Sequence, residues 1–136
     1  MDANVLIYAY VKPKRALTEE EKKIKQNAKK IIERVSGGEK VVTTVIHLSE
    51  VANVLENAVS AETLSKILTS LFSMDNVDVA GVSREEYLLA TDMAPTFGIG
   101  INDALAAVKM KKAGASEIYS FDKHFDAVAD ISRIES

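Results

Sequence analysis

Residues 1–10 read MDANVLIYAY, and this stretch places a carboxylate, Asp2, almost directly ahead of an apolar run. The run from Val5 to Tyr8 predicts a short helix over residues 4–10, which Pro13 would break. An acid ahead of a helix is usually a cap. It can also belong to a site, if the rest of the chain supplies partner acids, and the search for those partners decides between the two interpretations.

The composition is typical of a globular domain of moderate size. The chain has 136 residues, of which 47% are hydrophobic and 27% charged, so it can bury one sizeable core. It has no cysteine, which excludes disulfides, thiolate metal sites and cysteine nucleophiles. No apolar run approaches the roughly 18 residues of a membrane span, and we expect no signal peptide, because the given residues show no charged-then-apolar pattern. We therefore expect a single domain over residues 1–136, without membrane association and with a cytoplasmic location.

The charge is distributed unevenly along the chain. Between Lys12 and Arg34, nine basic residues stand against four acids, so this stretch carries +5 in a chain whose net charge is −3. The remainder must then carry −8. Such a division can present one surface to an anionic partner and hold an acidic cluster elsewhere. The alternative is a solvated helix face that serves solubility or docks an acidic protein segment.

Segments with strand and helix patterns alternate after the basic loop. Thr18–Glu21 and Ser83–Glu86 are capping boxes that predict helix starts. Residues 41–46, VVTTVI, are β-branched throughout and predict a buried strand, while Pro95 predicts a helix end near residue 94. Further strands are predicted near residues 77–80, 117–121 and 131–134. The alternation favours an α/β fold, an α/β/α sandwich around a mostly parallel central sheet.

Acidic residues fall near the predicted strand ends, at the sheet edge where ligands gather in parallel α/β folds. Glu50 lies in the first turn of the helix predicted after residues 41–46, and Asp122 directly follows another predicted strand. Asp2 and Asp103 each open a predicted helix. Carboxylates that a fold brings together from distant segments form an oxygen-rich pocket suited to Mg²⁺ or Mn²⁺.

Each of these acids also has a plain structural interpretation. Asp2, Asp103 and Asp122 could be helix N-caps, which contribute roughly 1 kcal/mol each. Glu50 could be a solvated acid favoured by the helix dipole. Asp126, one helical turn beyond Asp122, fits a surface or capping residue as well as part of a metal site. Spacing alone leaves both interpretations open.

Four motifs in order along the chain resemble those of the PIN-domain ribonucleases, the family that includes the VapC-type toxins. MDANVLIYAY resembles the opening motif, in which an acid is followed by a small residue, Asn and an apolar helix. Residues 48–51 (LSEV), 101–105 (INDAL) and 120–125 (SFDKHF) resemble the second, third and fourth motifs. The resemblance covers nearly the whole chain.

The resemblance implies a metal-dependent endonuclease that hydrolyses RNA and leaves a 5′-phosphate and a 3′-hydroxyl. Its acidic site, which would hold Mg²⁺ or Mn²⁺, would comprise Asp2, Glu50, Asp103 and Asp122. Asn4 would support this site, and Asp126 would be an auxiliary acid. The family also implies an antitoxin partner and a homodimer. The side chains expected to contact RNA phosphates are Lys12, Lys14, Arg15 and Lys123.

The departure from the family lies at the start of the chain. PIN domains usually carry an apolar strand ahead of the first Asp, central in the sheet, whereas only Met1 precedes Asp2 here. A sheet without that strand would leave neighbouring edges unpaired, which is costly in a buried sheet. We therefore expect native residues upstream of Met1.

Three alternatives stay open at this level. His47 and His124 could cleave RNA without metal, by acid–base catalysis through the 2′-hydroxyl. Nothing in their spacing indicates that they meet, however. His47 otherwise fits a surface residue at a helix N-terminus. A haloacid-dehalogenase-type phosphatase also begins with a strand-end Asp, but it needs a second Asp where this chain has Asn4. The third alternative is a non-catalytic RNA- or partner-binding module on the same fold, which would have no need of the acids.

Overall fold

The strands are short and all pair in parallel. The computed structural model describes residues 1–12 and 14–136, and within these residues four strands form two sheets. Strand β1 (Val41–Thr44) pairs with β2 (Val77–Ala80), and β3 (Glu117–Tyr119) pairs with β4 (Ser132–Ile134). The predicted parallel pairing is confirmed, but the predicted single sheet is divided into two pieces.

Helical segments lie between the two strands of each pair. They form the crossover connections that parallel pairing requires. None of the helices in the described part of the chain combines the length and apolarity that crossing a membrane would require. Within that part, the helices are α1 (Ala3–Tyr10), α2 (Glu19–Ser36), α3 (Val45–Leu55), α4 (Ala61–Ser73), α5 (Arg84–Phe97), α6 (Ile101–Ala113) and a 3₁₀ helix (Lys123–Ala127).

The helices pack around the strands as an α/β/α fold, which confirms the predicted class. On the side of the first sheet, Val5 of α1 and Ile31 of α2 are fully buried against Val41 of β1. On the side of the second sheet, Ala106 of α6 packs against Ile118 of β3. Helices α5 and α6 form a further apolar cluster with each other. The strands therefore lie between two helical layers.

Met1 and Asp2 bridge the gap between the two sheets. The amine of Met1 donates to Val42 O at 2.6 Å, and the backbone N–H of Asp2 donates to Tyr119 O at 2.9 Å, on the opposite side. Consecutive residues that bond alternately to β1 and β3 behave as the end of a strand lying between them. Beside Met1 lies a cavity of about 220 Å³ lined by residues 39–44, residues 117–119 and α6.

Two element boundaries near the acids differ from the prediction. β1 ends at Thr44 rather than at residue 46, because the Thr44 hydroxyl caps α3 by accepting from His47 N at 3.1 Å. Glu50 consequently lies in the second turn of α3 and not in the first. β3 ends at Tyr119 rather than at residue 121, so Asp122 follows the strand by three residues.

Helix α5 is longer than predicted. It continues through Pro95 to Phe97 and closes at Gly98, whose φ of 66° is the left-handed conformation that favours glycine. Proline is tolerated there because it removes only one hydrogen bond in a final turn that is about to end. The capping boxes at Thr18–Glu21 and Ser83–Glu86 are both formed, which confirms the predicted starts of α2 and α5.

Lys25 of α2 anchors the end of α1. Its ammonium group donates to the backbone oxygens of Tyr8, Ala9 and Val11 at 3.0, 3.3 and 2.6 Å. Cationic donors at a helix C-terminus satisfy its last carbonyl groups and complement the helix dipole. The predicted helix break at Pro13 lies outside the described residues, and α1 itself ends at Tyr10.

Candidate active site

Four segments that are distant in sequence deliver the predicted acids to one side of the fold. Asp2 precedes α1, Asp103 lies in the first turn of α6, and Asp122 lies between β3 and the 3₁₀ helix. Glu50 comes from α3. The charges of Asp2, Asp122 and Glu50 each act on Asp103, which places all three acids near it.

Asp103, Asp122 and His124 form a group of possible metal ligands. One ligand atom from each lies within 4.8 Å of the others. His124 Nδ1 lies 3.2 Å from Asp122 Oδ1, and the His124 side chain is largely exposed. Carboxylate oxygens suit Mg²⁺ and Mn²⁺, and an imidazole is tolerated by Mn²⁺. The donor set at this point therefore fits a small divalent cation.

Asp103 carries the electrostatic strain of the cluster. Its pKa is raised to about 7, first by burial and then by the nearby carboxylates of Asp2 and Asp122. Like charges gathered in a partly desolvated site disfavour ionisation, and a bound cation relieves that repulsion. The protein thus concentrates negative charge where it is costly, which is expected of a cation site and not of three unrelated caps.

Ser120 holds two of the acids in place. Its hydroxyl is fully buried, donates to Asp2 Oδ2 at 2.7 Å and accepts from the backbone N–H of Asp122 at 3.0 Å. Asn4 completes this junction, since its Nδ2 donates to Ser120 Oγ at 3.4 Å and its Oδ1 accepts from Phe121 N at 3.3 Å. Asn4 therefore lies beside the acids, and its supporting role stays a prediction. Ser120 was not predicted as a site residue, although it stands within the fourth motif.

Glu50 is held by a pair of polar side chains that the sequence did not single out. Asn102 Nδ2 donates to Glu50 Oε1, and the Tyr87 hydroxyl donates to Asn102 Oδ1 at 2.9 Å. The position of Asn102 near the start of α6 would suit it to capping that helix. The actual N-cap is Gly100, which leaves the Asn102 side chain available for Glu50.

His47 is a buried residue, and the expectation of a surface position is wrong. It is 2% exposed, and both ring nitrogens are engaged. Asn102 O can only accept, so Nε2 carries the proton and donates to it at 3.1 Å, while Nδ1 accepts from the Thr44 hydroxyl at 2.7 Å. Burial lowers the pKa of His47 and favours this neutral form. A histidine with both nitrogens bonded is poorly suited to act as a general base, which weakens the two-histidine alternative.

The cap interpretations hold for one acid of three. Asp122 does cap the 3₁₀ helix, because its Oδ1 accepts from His124 N at 2.9 Å. Asp2 occupies the N-cap position of α1, but its side chain makes no capping bond and turns to Ser120 instead. Asp103 lies inside the first turn of α6 and is not its cap. The carboxylates of Asp2 and Asp103 are thus directed to the cluster and away from helix capping.

The remaining predicted residues differ in whether their side chains already form salt bridges. Asp126 pairs through both oxygens with Arg133, at 3.0 and 3.1 Å, and this pairing lowers its pKa. Arg15 is similarly engaged by both oxygens of Glu21, at 2.9 and 2.8 Å. All the predicted phosphate-binding residues are exposed to solvent: Lys12, Lys14, Arg15 and Lys123.

The chain matches a known protein family over nearly its whole length. The family model of the PIN domain matches residues 1–131. No curated protein gives a match to the chain. PIN domains are generally nucleases and typically depend on divalent metal, and the cluster around Asp103 and Asp122 is one that such a metal could bind. With nearly its whole length matched, this chain belongs to the PIN-domain family.

Proposed function

We propose that the chain, as one PIN domain over residues 1–136, is an Mg²⁺- or Mn²⁺-dependent endoribonuclease and the toxin of a toxin–antitoxin pair. The observation that carries the proposal is the convergence of three carboxylates on a fourth, that of Asp103, whose pKa is raised by burial and by these acidic neighbours. Such a cluster is costly to a fold unless a cation occupies it, so its presence points to metal-dependent chemistry. The acids of the cluster are Asp2, Glu50, Asp103 and Asp122.

The ligand chemistry supports this assignment. Asp103 and Asp122 would hold the cation together, with Asp2 fixed beside them by Ser120. A divalent cation supplies two effects when bound: it lowers the pKa of a coordinated water and neutralises charge that develops on the scissile phosphate. Glu50 would serve as a further ligand or orient the attacking water.

Exposed basic residues support RNA as the substrate. An acidic pocket alone repels a polyanion, so a cationic surface close to it is needed. Lys12 and Lys14 follow α1, whose first residue is next to Asp2, and Lys123 is next to Asp122 in sequence. We assign phosphate contacts to these three lysines. Arg15 is a weaker candidate, because its guanidinium already binds Glu21.

Exposed apolar side chains support a protein partner. Phe72 of α4 is 59% exposed and Val54 of the neighbouring α3 is 46% exposed. Apolar groups of this size on adjacent helices favour a contact with another protein. We assign this surface to a second copy of the chain, as the homodimer expected from the resemblance, and sedimentation of Phe72→Glu against the unchanged protein tests it. An antitoxin and a cytoplasmic location, where RNA is available, complete the proposed role.

The test is cleavage of a panel of cellular RNAs with and without added Mg²⁺ or Mn²⁺. The unchanged protein should cut RNA only when metal is present, and Asp122→Asn should abolish cutting while the protein stays folded. Asp92→Asn, at an exposed acid of α5, is the matched control and should cut normally. RNA binding without cutting under every metal condition would instead favour a non-catalytic binding module.

A further inference from the structure

A single asparagine joins the two helices that carry Glu50 and Asp103. Asn102 directly precedes Asp103 in the first turn of α6 and contacts α3 twice. Its backbone oxygen accepts from His47 Nε2 at 3.1 Å, and its side-chain amide donates to Glu50 Oε1. His47 and Glu50 are three residues apart and therefore share one face of α3. Asn102 thus fixes the position of Glu50 relative to Asp103.

The partners of the amide determine which way it points. An ionised carboxylate can only accept, so the NH₂ group of Asn102 must face Glu50. The remaining Oδ1 accepts from the hydroxyl of Tyr87, at 2.9 Å. Tyr87 belongs to α5, which packs against α6, so this donor comes from a fixed element. A flipped amide would place Asn102 Oδ1 against the carboxylate oxygen of Glu50. The hydrogen-bond partners therefore determine the observed orientation of the amide.

A glutamate in this cluster needs such a partner. Glu50 lies close enough to Asp103 to help raise its pKa, so repulsion would drive the flexible Glu50 side chain towards solvent. A neutral amide can hold the carboxylate without adding positive charge, which would weaken the attraction of the cluster for a cation. A lysine or arginine at position 102 would also hold Glu50, but its positive charge would weaken the binding of a cation.

We propose that Asn102 is a positioning residue that keeps Glu50 directed at the cation site, and that Tyr87 acts through it by orienting the amide. The inference rests on the proposed function of the acidic cluster. Asn102 and Tyr87 act on Glu50 and not on the substrate, so their effects must disappear when Glu50 is removed.

A double-mutant cycle tests this dependence. Mn²⁺ affinity and the rate of RNA cleavage under single-turnover conditions are measured for the unchanged protein, Asn102→Ala, Glu50→Ala and the double variant. Removing a residue that orients a metal ligand costs about 10- to 100-fold in metal affinity or activity, and we expect Asn102→Ala to fall in that range. In the Glu50→Ala protein, the same substitution should change neither quantity further. Tyr87→Phe should lower both by roughly 2- to 10-fold, and again only when Glu50 is present.

Two variants control for the loss of a hydrogen bond in itself. Asn76→Ala removes an amide that donates to Val35 O and Glu39 O at the amino ends of β1 and β2. Tyr119→Phe removes a hydroxyl that donates to Glu39 at 2.7 Å. Neither should show coupling to Glu50→Ala.

Additive losses from Asn102→Ala and Glu50→Ala would overturn the inference and leave the proposed function standing. Absence of cleavage by the unchanged protein would instead remove the proposed function, while the Mn²⁺ affinities still decide the question of positioning. If Asn102→Ala does not fold, Tyr87→Phe provides the same cycle, because it keeps the aromatic ring and its packing.

Discussion

Replacing Asp103 by Asn should stabilise the metal-free protein. The pKa of Asp103 in the folded state is about 7, raised by burial and by Asp2 and Asp122, whereas an unfolded chain has a value of about 3.9. A carboxyl group whose folded pKa is raised favours folding when it is protonated and opposes it when it is charged. The unchanged protein should therefore lose stability as the pH rises from about 4 to about 7, and Asp103→Asn should escape that loss.

The magnitude follows from the shift. A rise of about three pKa units corresponds to about 4 kcal/mol at roughly 1.36 kcal/mol per unit. Asp103 is only half-buried, so solvent screens part of that energy, and we expect a gain of about 1–2 kcal/mol at pH 8. For a domain of this size, that gain corresponds to an increase in Tm of about 3–10 °C.

Thermal unfolding in EDTA at pH 4, 6 and 8 measures this gain. The difference between Asp103→Asn and the unchanged protein should be near zero at pH 4 and largest at pH 8, while the control Asp92→Asn should show little change. Added Mn²⁺ should reverse the order, because only the unchanged site gains the full binding energy, about 2.7 kcal/mol at 100 times the Kd. A stability difference at pH 8 that is absent, or that does not vary with pH, would refute the electrostatic account of the cluster.

Three further perturbations test other parts of the structure. Adding about four apolar, β-branched residues ahead of Met1 should raise Tm relative to a Gly/Ser extension of equal length, because the β-branched extension can pair with the edges of β1 and β3 in the cavity. Equal Tm values for the two extensions would contradict this. Glu86→Gln should lower the free energy of unfolding at pH 7, because a backbone N–H and two lysines hold the pKa of Glu86 at about 2, and the effect should fade as the pH falls from about 4 towards 2 in denaturant titrations. Changing Lys12 and Lys14 to Ala in a cleavage-inactive protein should weaken RNA binding and flatten the dependence of RNA affinity on salt concentration between about 50 and 200 mM. Lys66→Ala, the control on α4, should change neither quantity. An unchanged salt dependence would assign Lys12 and Lys14 to solubility or partner docking.

Local chemistry accounts for what could be predicted from the sequence. The starts of α2 and α5 follow from Thr18 and Ser83, because a capping box depends only on residues three positions apart. The parallel strands follow from the alternation of strand and helix patterns. Propensity failed at the end of β1, where Val45 and Ile46 are β-branched yet open α3, because the cap at Thr44 overrides it.

Contacts between distant residues account for what could not be predicted. Ser120 meets Asp2 across 118 positions, and Asn102 meets Glu50 across 52. Neither pair leaves a periodic signal, and serine and asparagine have too many other uses to stand out. Asp126 and Arg133 are only seven positions apart, but their pairing depends on how the turn before β4 folds, which also leaves no periodic signal.

The chemistry of the cut ends tests the central claim most directly. RNA should be incubated with the unchanged protein in Mn²⁺, in EDTA, and with Asp122→Asn in Mn²⁺, and the termini of the products should be identified. Hydrolysis at the acidic cluster predicts 5′-phosphate and 3′-hydroxyl ends, formed only by the unchanged protein with metal. Cleavage that survives EDTA, or products that end in a 2′,3′-cyclic phosphate, would contradict it and show that the RNA 2′-hydroxyl is the nucleophile.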